Sequence, residues 1–332
     1  MAPSTAKVNK TPGPSLPEPQ SLAASAAGLG SFAAVANATA FPGPPGPAPL
    51  APLLGSLNLT PSGTAGEQFQ SEISTTVSIG GQLYVISSGG GTTLQVSNAT
   101  DPAAMSLVGR TSLVGYNTQS AASYGNLLAV ALSPSDYGTN GGKGLVRFYR
   151  VEANGTLTPL ADVSVGYLPD SLAFNANGTK LVIANEGEPI SGYGTDPSKD
   201  PAGSIGIIDI QGRVNLSFRY TELGFAGLSL PAGLRLSGPA GTTQATDIEP
   251  EYVTVQGNYA YVTLQENNGV AKVNLTSNTI EAIFALGAVD YSTQLVDLTD
   301  RDTPAGTTGF FKPLLGQAYE GLRMADGIAA YT

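Results

Sequence analysis

Short apolar runs separated by Gly, Asn and Pro dominate this chain. The clearest lie in residues 167–189, YLPDSLAFNANGTKLVIANEGEP. The run at 172–174 reads as a strand. Asn177-Gly178 reads as a tight turn, because both residue types accept the positive φ that a hairpin needs. Residues 180–185 form a second strand, apolar and partly β-branched. A third, GSIGIIDI at 203–210, follows a polar loop.

The same order returns at 249–275, EPEYVTVQGNYAYVTLQENNGVAKVNL. Pro169-Asp170 aligns with Pro250-Glu251, and Asn177-Gly178 falls near Gly257-Asn258. LVIANE aligns with YVTLQE, which places Glu186 on Glu266. Looser copies occupy 75–98 and 120–151, and another begins at MADGIAAY, 324–331. Fourth strands are expected at 105–113, 157–165, 216–223 and 280–286. Four-stranded units repeating at ~45 residues or more predict an all-β fold, a β-propeller of four-stranded antiparallel blades. The alternative is a β-sandwich whose segments resemble one another by chance. The blades are expected at 65–114, then to 165, then to 230, and at 247–286. A Gly/Thr-rich loop fills 231–247 and an insertion fills 287–323. Four blades and the stub of a fifth are few for a closed ring of this kind, so the chain reads as part of a larger propeller.

Residues 1–64 depart from this pattern. They form a low-complexity leader rich in Ala and Pro. Lys7 and Lys10 precede an Ala-rich stretch at 22–40, which admits a signal-peptide reading with cleavage near Ala36 or Ala38. The weak hydrophobicity of that stretch favours a disordered tail. The prolines of FPGPPGPAPLAP, 41–52, favour an extended polyproline II spacer, a wall-associated stalk or a plain linker. The chain thus divides into a leader, 1–64, and a partial propeller, 65–332.

Composition narrows the chemistry. Gly 42 and Pro 24 with only 12% charged residues suit a turn-rich β protein. A formal net charge of −10 argues against a nucleic-acid partner. No apolar run reaches the ~18 residues of a membrane-spanning helix. Cysteine and histidine are both absent. That excludes disulfides, thiolate chemistry, Ser-His-Asp triads and His-ligated zinc.

Antiparallel blades alternate their connections between two ends. First-to-second and third-to-fourth turns share one end, while second-to-third loops and the starts of first strands share the other. Eight Asn-x-Ser/Thr sequons occur, at Asn9, Asn37, Asn58, Asn98, Asn154, Asn177, Asn215 and Asn274. The five within the blades (Asn98, Asn154, Asn177, Asn215 and Asn274) all map to the first end, as candidate glycosylation sites. The acids map to the second. Asp170, Asp247, Glu249 and Glu251 precede or begin first strands, and Glu186, Glu188 and Glu266 follow second strands. Asp196 and Asp200 occupy the third-blade loop. Crowded carboxylates repel, and a hard cation relieves them. Calcium takes 6–8 oxygens from such groups, so Ca2+ is the expected cofactor. Asp297, Asp300 and Asp302 form a second acidic run, without the glycine of a calcium loop. For any one acid, the competing reading is a solvated or turn-capping carboxylate.

The strings LPDSLAF, LVIANEGEP, DIEPEYV, YVTLQENN and MADGIAAY resemble the choice-of-anchor I family, also described as mesenchyme-specific cell-surface glycoprotein-like. The resemblance covers about 75–332 and is sharpest at 165–275. It implies a seven-bladed YVTN-like propeller, extracellular or surface-attached, of which the later blades are not present here. Ala325 stands where the family usually has proline. The resemblance carries over no catalytic residue. The function expected is a secreted or cell-surface glycoprotein propeller that acts as a binding or adhesion module, with calcium. Its partner would be an extracellular ligand or matrix component. The alternative is a calcium-dependent phosphoesterase, related to proteins labelled alkaline phosphatase or phytase. A structural matrix glycoprotein is a third reading. Phosphate needs positive charge, and the cations expected at the acidic end are only Lys199, Arg301, Lys312 and Arg323.

Overall fold

The computed structural model describes residues 56–57, 73–88, 91–212, 214–297, 314–316 and 318–331. The leader, apart from two isolated residues, lies outside them. Four antiparallel meanders follow one another along the chain. The first is β1 (Ser74–Ile79), β2 (Gln82–Ser87), β3 (Thr93–Asn98) and β4 (Ser106–Ser112). The second is β5 (Tyr116–Tyr124), β6 (Leu127–Pro134), β7 (Lys143–Val151) and β8 (Leu157–Tyr167). The third is β9 (Pro169–Phe174), β10 (Lys180–Asn185), β11 (Ser204–Gln211) and β12 (Ser217–Gly224). The fourth is β13 (Val253–Gln256), β14 (Tyr259–Leu264), β15 (Gly269–Asn274) and β16 (Thr279–Ala285).

Side-chain alternation makes these sheets the blades of a propeller. Successive residues of a strand face opposite sides of the sheet. Leu128, Val130 and Leu132 of β6 enter a core shared with the first blade, while Ala129 and Ala131 enter one shared with the third. On β10, Leu181 and Ile183 face the second blade, and Val182 and Ala184 face the fourth. Middle strands are therefore buried on both faces and carry continuous apolar runs, as in LVIA. The fourth strands β4 and β12 lie outermost and alternate exposed with half-buried positions. First strands pack against first strands, β1 on β5, β5 on β9 and β9 on β13, which makes them the innermost row. Each fully buried Leu, Ile or Val contributes ~1.5–3 kcal/mol. An isolated hairpin is marginal, so the cores between sheets hold the blades.

Turn chemistry sets the register. Ile79 pairs with Gln82 across Gly80-Gly81, both at positive φ, as a two-residue primed turn requires. The expected fourth strands all appear, within two residues of the predicted ends. β9 starts earlier than expected, at Pro169. Leu168 holds φ +44° just before it, and proline is accepted as the first residue of a strand.

Three features differ from the sequence expectation. The insertion after the fourth blade contains a two-stranded ribbon, β17 (Ala288–Asp290) with β18 (Glu320–Leu322). Two short helical turns, α1 (Tyr137–Asn140) and α2 (Gln244–Asp247), interrupt connections expected to be plain loops. Residues 324–331, read as a fifth first strand, are not a strand. Among the described residues no strand pairs with them, and the Ala330 N–H goes instead to the Thr254 hydroxyl at 3.3 Å.

Candidate functional site at the acidic end

Three connections meet at the end opposite the tight turns. They are the β6–β7 loop with α1, the β10–β11 loop at 186–203, and the β12–β13 segment at 225–252. Backbone and side-chain bonds fix them to one another. The Tyr137 hydroxyl donates to the Glu188 carbonyl at 2.9 Å, and the Ser191 N–H donates to the Gly138 carbonyl at 2.8 Å. Gly203 sits so close to the carbonyls of Ile248 and Glu186 that a Cβ there would overlap them. The blade-three loop and the blade-four lead-in therefore touch through bare backbone.

Buried asparagines anchor the acids. Asn185 accepts from the Gly166 N–H (3.2 Å) and donates to the Ser204 hydroxyl (3.1 Å) and the Tyr220 hydroxyl (3.2 Å). It joins the last strand of blade two to blade three, directly before Glu186. Asn267 donates to the Asp247 carbonyl (2.6 Å) and accepts from the Glu249 N–H (3.1 Å), which fixes the backbone on both sides of Ile248. Asn268, at φ +55°, accepts from the Arg323 and Met324 N–H groups and donates to the Gly287 carbonyl. These pairings satisfy polar groups that burial would otherwise penalise.

The carboxylates act on one another. Burial pushes the Glu186 carboxyl up to about 9, helped by Asp170, Glu188, Glu249 and Glu251. Glu249 is pushed up to about 8 by burial, then by Glu266, Asp200, Glu188 and Asp247. Glu251 is pushed up to about 7 by burial, then by Asp326, Asp170 and Glu266. Asp200 rises to about 6, again chiefly through burial. Burial also raises the Tyr137 hydroxyl well above its ordinary value, with Glu186 as the next cause. The charges acting most strongly on these three glutamates are carboxylates. Arg235, at the same end, is bonded to the Glu266 carbonyl at 2.8 Å and to its carboxylate at 3.4 Å.

Of the acids expected from sequence, Asp170, Glu186, Glu188, Glu249, Glu251 and Glu266 come into one electrostatic group. Asp297 follows the Val296–Leu314 bridge. Asp300 and Asp302, like Arg301 and Lys312, lie outside the described residues. No three acidic side chains among the described residues are drawn together closely enough to hold a metal ion as they stand. Some charge at this end is nevertheless uncompensated. Both oxygens of Asp200 and Oε2 of Glu251 are buried without a hydrogen-bond partner among the described residues.

Two participants escaped the sequence reading. Asp326 joins the group through Glu251. It occupies the place in MADGIA that Asp170 occupies in LPDSLA, and Met324 repeats the positive φ of Leu168. That alignment held the signal. Tyr193 stands beside Asp200, Asp247 and Glu249, and no local pattern marks it.

The five blade sequons fall in turns or at strand ends beside them at the opposite end, as the strand order requires. Asn98, Asn154, Asn177 and Asn274 each accept from the N–H two residues on, the local turn bond that suits asparagine. Asn154, Asn177 and Asn215 are exposed. Asn98 is half-buried and donates its amide N–H to Gln82 Oε1 at 2.9 Å.

Comparison with known proteins gives one family and several distant folds. The profile of the choice-of-anchor I domain matches residues 72–332. No curated protein matches. Among solved structures, the computationally designed Ika4 protein is 13% identical with TM-score 0.38, over 64% of this chain and 94% of that one. The nidogen/laminin complex is 14% identical with TM-score 0.37, over 63% and 62%. A putative 6-phosphogluconolactonase from Bacteroides uniformis is 12% identical with TM-score 0.41, over 62% and 54%. Similarity at this level does not extend to what those proteins do. No described helix is long and apolar enough to cross a membrane.

Proposed function

The chain belongs to the choice-of-anchor I domain family, and on that premise we propose that it is an extracellular or cell-surface glycoprotein whose propeller binds a partner through its acidic end in a cation-dependent way. One observation carries this reading, the segregation of groups between the two ends. Nine carboxylates (Asp170, Glu186, Glu188, Asp200, Asp247, Glu249, Glu251, Glu266 and Asp326) act on one another at one end. The five blade sequons occupy turns at the other. Glycans would cover the turn end and leave the acidic end open to a ligand. Calcium suits the acidic end chemically, since hard oxygen donors are the only strong ligands in a chain without His or Cys.

Retention of the secreted, full chain on cell surfaces and matrix preparations tests this. Retention should fall when calcium is chelated. It should also fall in a Glu188→Gln, Glu266→Gln double variant, which neutralises two exposed acids without touching the core. Glycopeptide mapping of the same material should find glycans at Asn154, Asn177 and Asn215. Retention indifferent to chelator and to the double variant would sink the reading.

A further inference from the structure

We propose that Asp200 and Glu249, with the Thr246 hydroxyl, form a Ca2+ site where the β10–β11 loop of blade three meets the lead-in to blade four. The proposal rests on the cation-dependent reading above and narrows the ion from the whole acidic group to one seam.

Asp200 is the unusual group. It is only 4% exposed, yet neither carboxyl oxygen meets a donor with good hydrogen-bond geometry among the described residues, its nearest donors being the Thr246 and Tyr193 hydroxyls. A structural carboxylate in a loop normally caps backbone N–H groups, and its neighbours do so. Asp196 accepts from the Ser198 N–H at 3.0 Å and the Ser198 hydroxyl at 2.7 Å. Asp247 accepts from the N–H groups of Ser237 and Gly238. Asp200 has no such donor. The hydroxyls of Thr246 and Tyr193 lie beside it, and the charges it meets are those of Asp247 and Glu249. Three carboxylates with no facing cation leave an unbalanced charge at a buried seam, which burial makes costly.

The donor set selects the ion. Two carboxylates and a hydroxyl are hard oxygen ligands, and carbonyls and water complete a calcium shell of 6–8 oxygens. Asp247 contributes field rather than a ligand, because the Ser237 and Gly238 N–H groups already occupy its oxygens. Asp200 and Glu249 sit on separate segments, and no three acids are yet drawn together. Calcium tolerates such irregular geometry, whereas Mg2+ demands near-octahedral ligands and dehydrates reluctantly. A bound ion would tie blade three to blade four and stiffen the surface proposed for the partner.

Terbium luminescence with calcium competition tests the site in the full chain. The chain has no Trp, so tyrosine must sensitise Tb3+, and Tyr193 is the ring beside Asp200. We expect tyrosine-sensitised Tb3+ emission that Ca2+ displaces. Tyr193→Phe should lower the emission and leave calcium affinity within about twofold, since its hydroxyl is not a ligand. Asp200→Asn should weaken calcium binding about tenfold or more, as removal of one charged ligand does. In chelator the same variant should melt at or above the wild-type temperature, because it removes an unpaired buried charge. A purely structural Asp200 would give the opposite melt. Thr246→Val should weaken binding less than Asp200→Asn. Calcium bound with unchanged affinity by Asp200→Asn would overturn this site and leave the acidic-end reading standing. A wild-type chain that binds no calcium would overturn the site, and the retention assay would then decide the reading separately.

Discussion

At the scale of single residues, Glu186 shows how the acidic end stores unfavourable charge. Its carboxyl is pushed up to about 9 from an ordinary 4.5 by burial and four carboxylates. Between those values the folded chain holds a proton that the unfolded chain has lost. Stability in chelator must therefore fall as pH rises through that window, and Glu249, pushed up to about 8, adds to the slope. Thermal melts in chelator should drop steadily between about pH 5 and pH 9. Glu186→Gln should flatten the drop and raise the melting temperature at the alkaline end. A melting temperature that climbs with pH across the window would refute this account of Glu186. The residue was legible in sequence as an acid after a second strand. Its raised pKa was not, because that comes from burial in the folded chain and from the charges of Asp170, Glu188, Glu249 and Glu251, which separate segments bring together.

At the scale of elements, what the sequence revealed tracked how local the cause was. LVIAN announces β10 because both faces are buried; Asn177-Gly178 does mark the turn before it, but the loop runs from 175 to 179 and only Gly178 takes a positive φ, not the two-residue turn expected. The fourth strands were readable from their alternation. β17 and β18 were not, since strands of three residues carry no period. Asp200 looked like any loop acid, because what surrounds it comes from the distant segment at Thr246 and Asp247, a separation no local pattern reports. Asn268 gives the element-scale prediction. Its side chain binds the backbone of Arg323, Met324 and Gly287, and so ties the end of the ribbon and residues 324–331 to blade four. Asn268→Ala removes three part-buried bonds made by a buried side chain, each worth ~0.5–1.5 kcal/mol net. Hydrogen exchange across residues 318–331 should accelerate sharply in that variant while β14 and β15 keep their protection. Uniform acceleration throughout blade four would mean that Asn268 supports the blade rather than the segment.

At the scale of the molecule, four blades share three interlocked cores, and strand polarity sorts chemistry to opposite ends. Strand order sends the blade sequons to the tight-turn end, and blades three and four with Asp326 supply the carboxylates of the loop end. Cations are few at the loop end among the described residues, and Arg235 is bound to Glu266. On the reading proposed above, the acidic end accepts positive charge. A calcium titration of the purified chain by calorimetry, paired with melts in calcium and in chelator, tests this most directly. The account predicts saturable binding, a higher melting temperature in calcium through linkage, and a smaller effect from magnesium. No heat and no shift at millimolar calcium, with the chain folded, would contradict it.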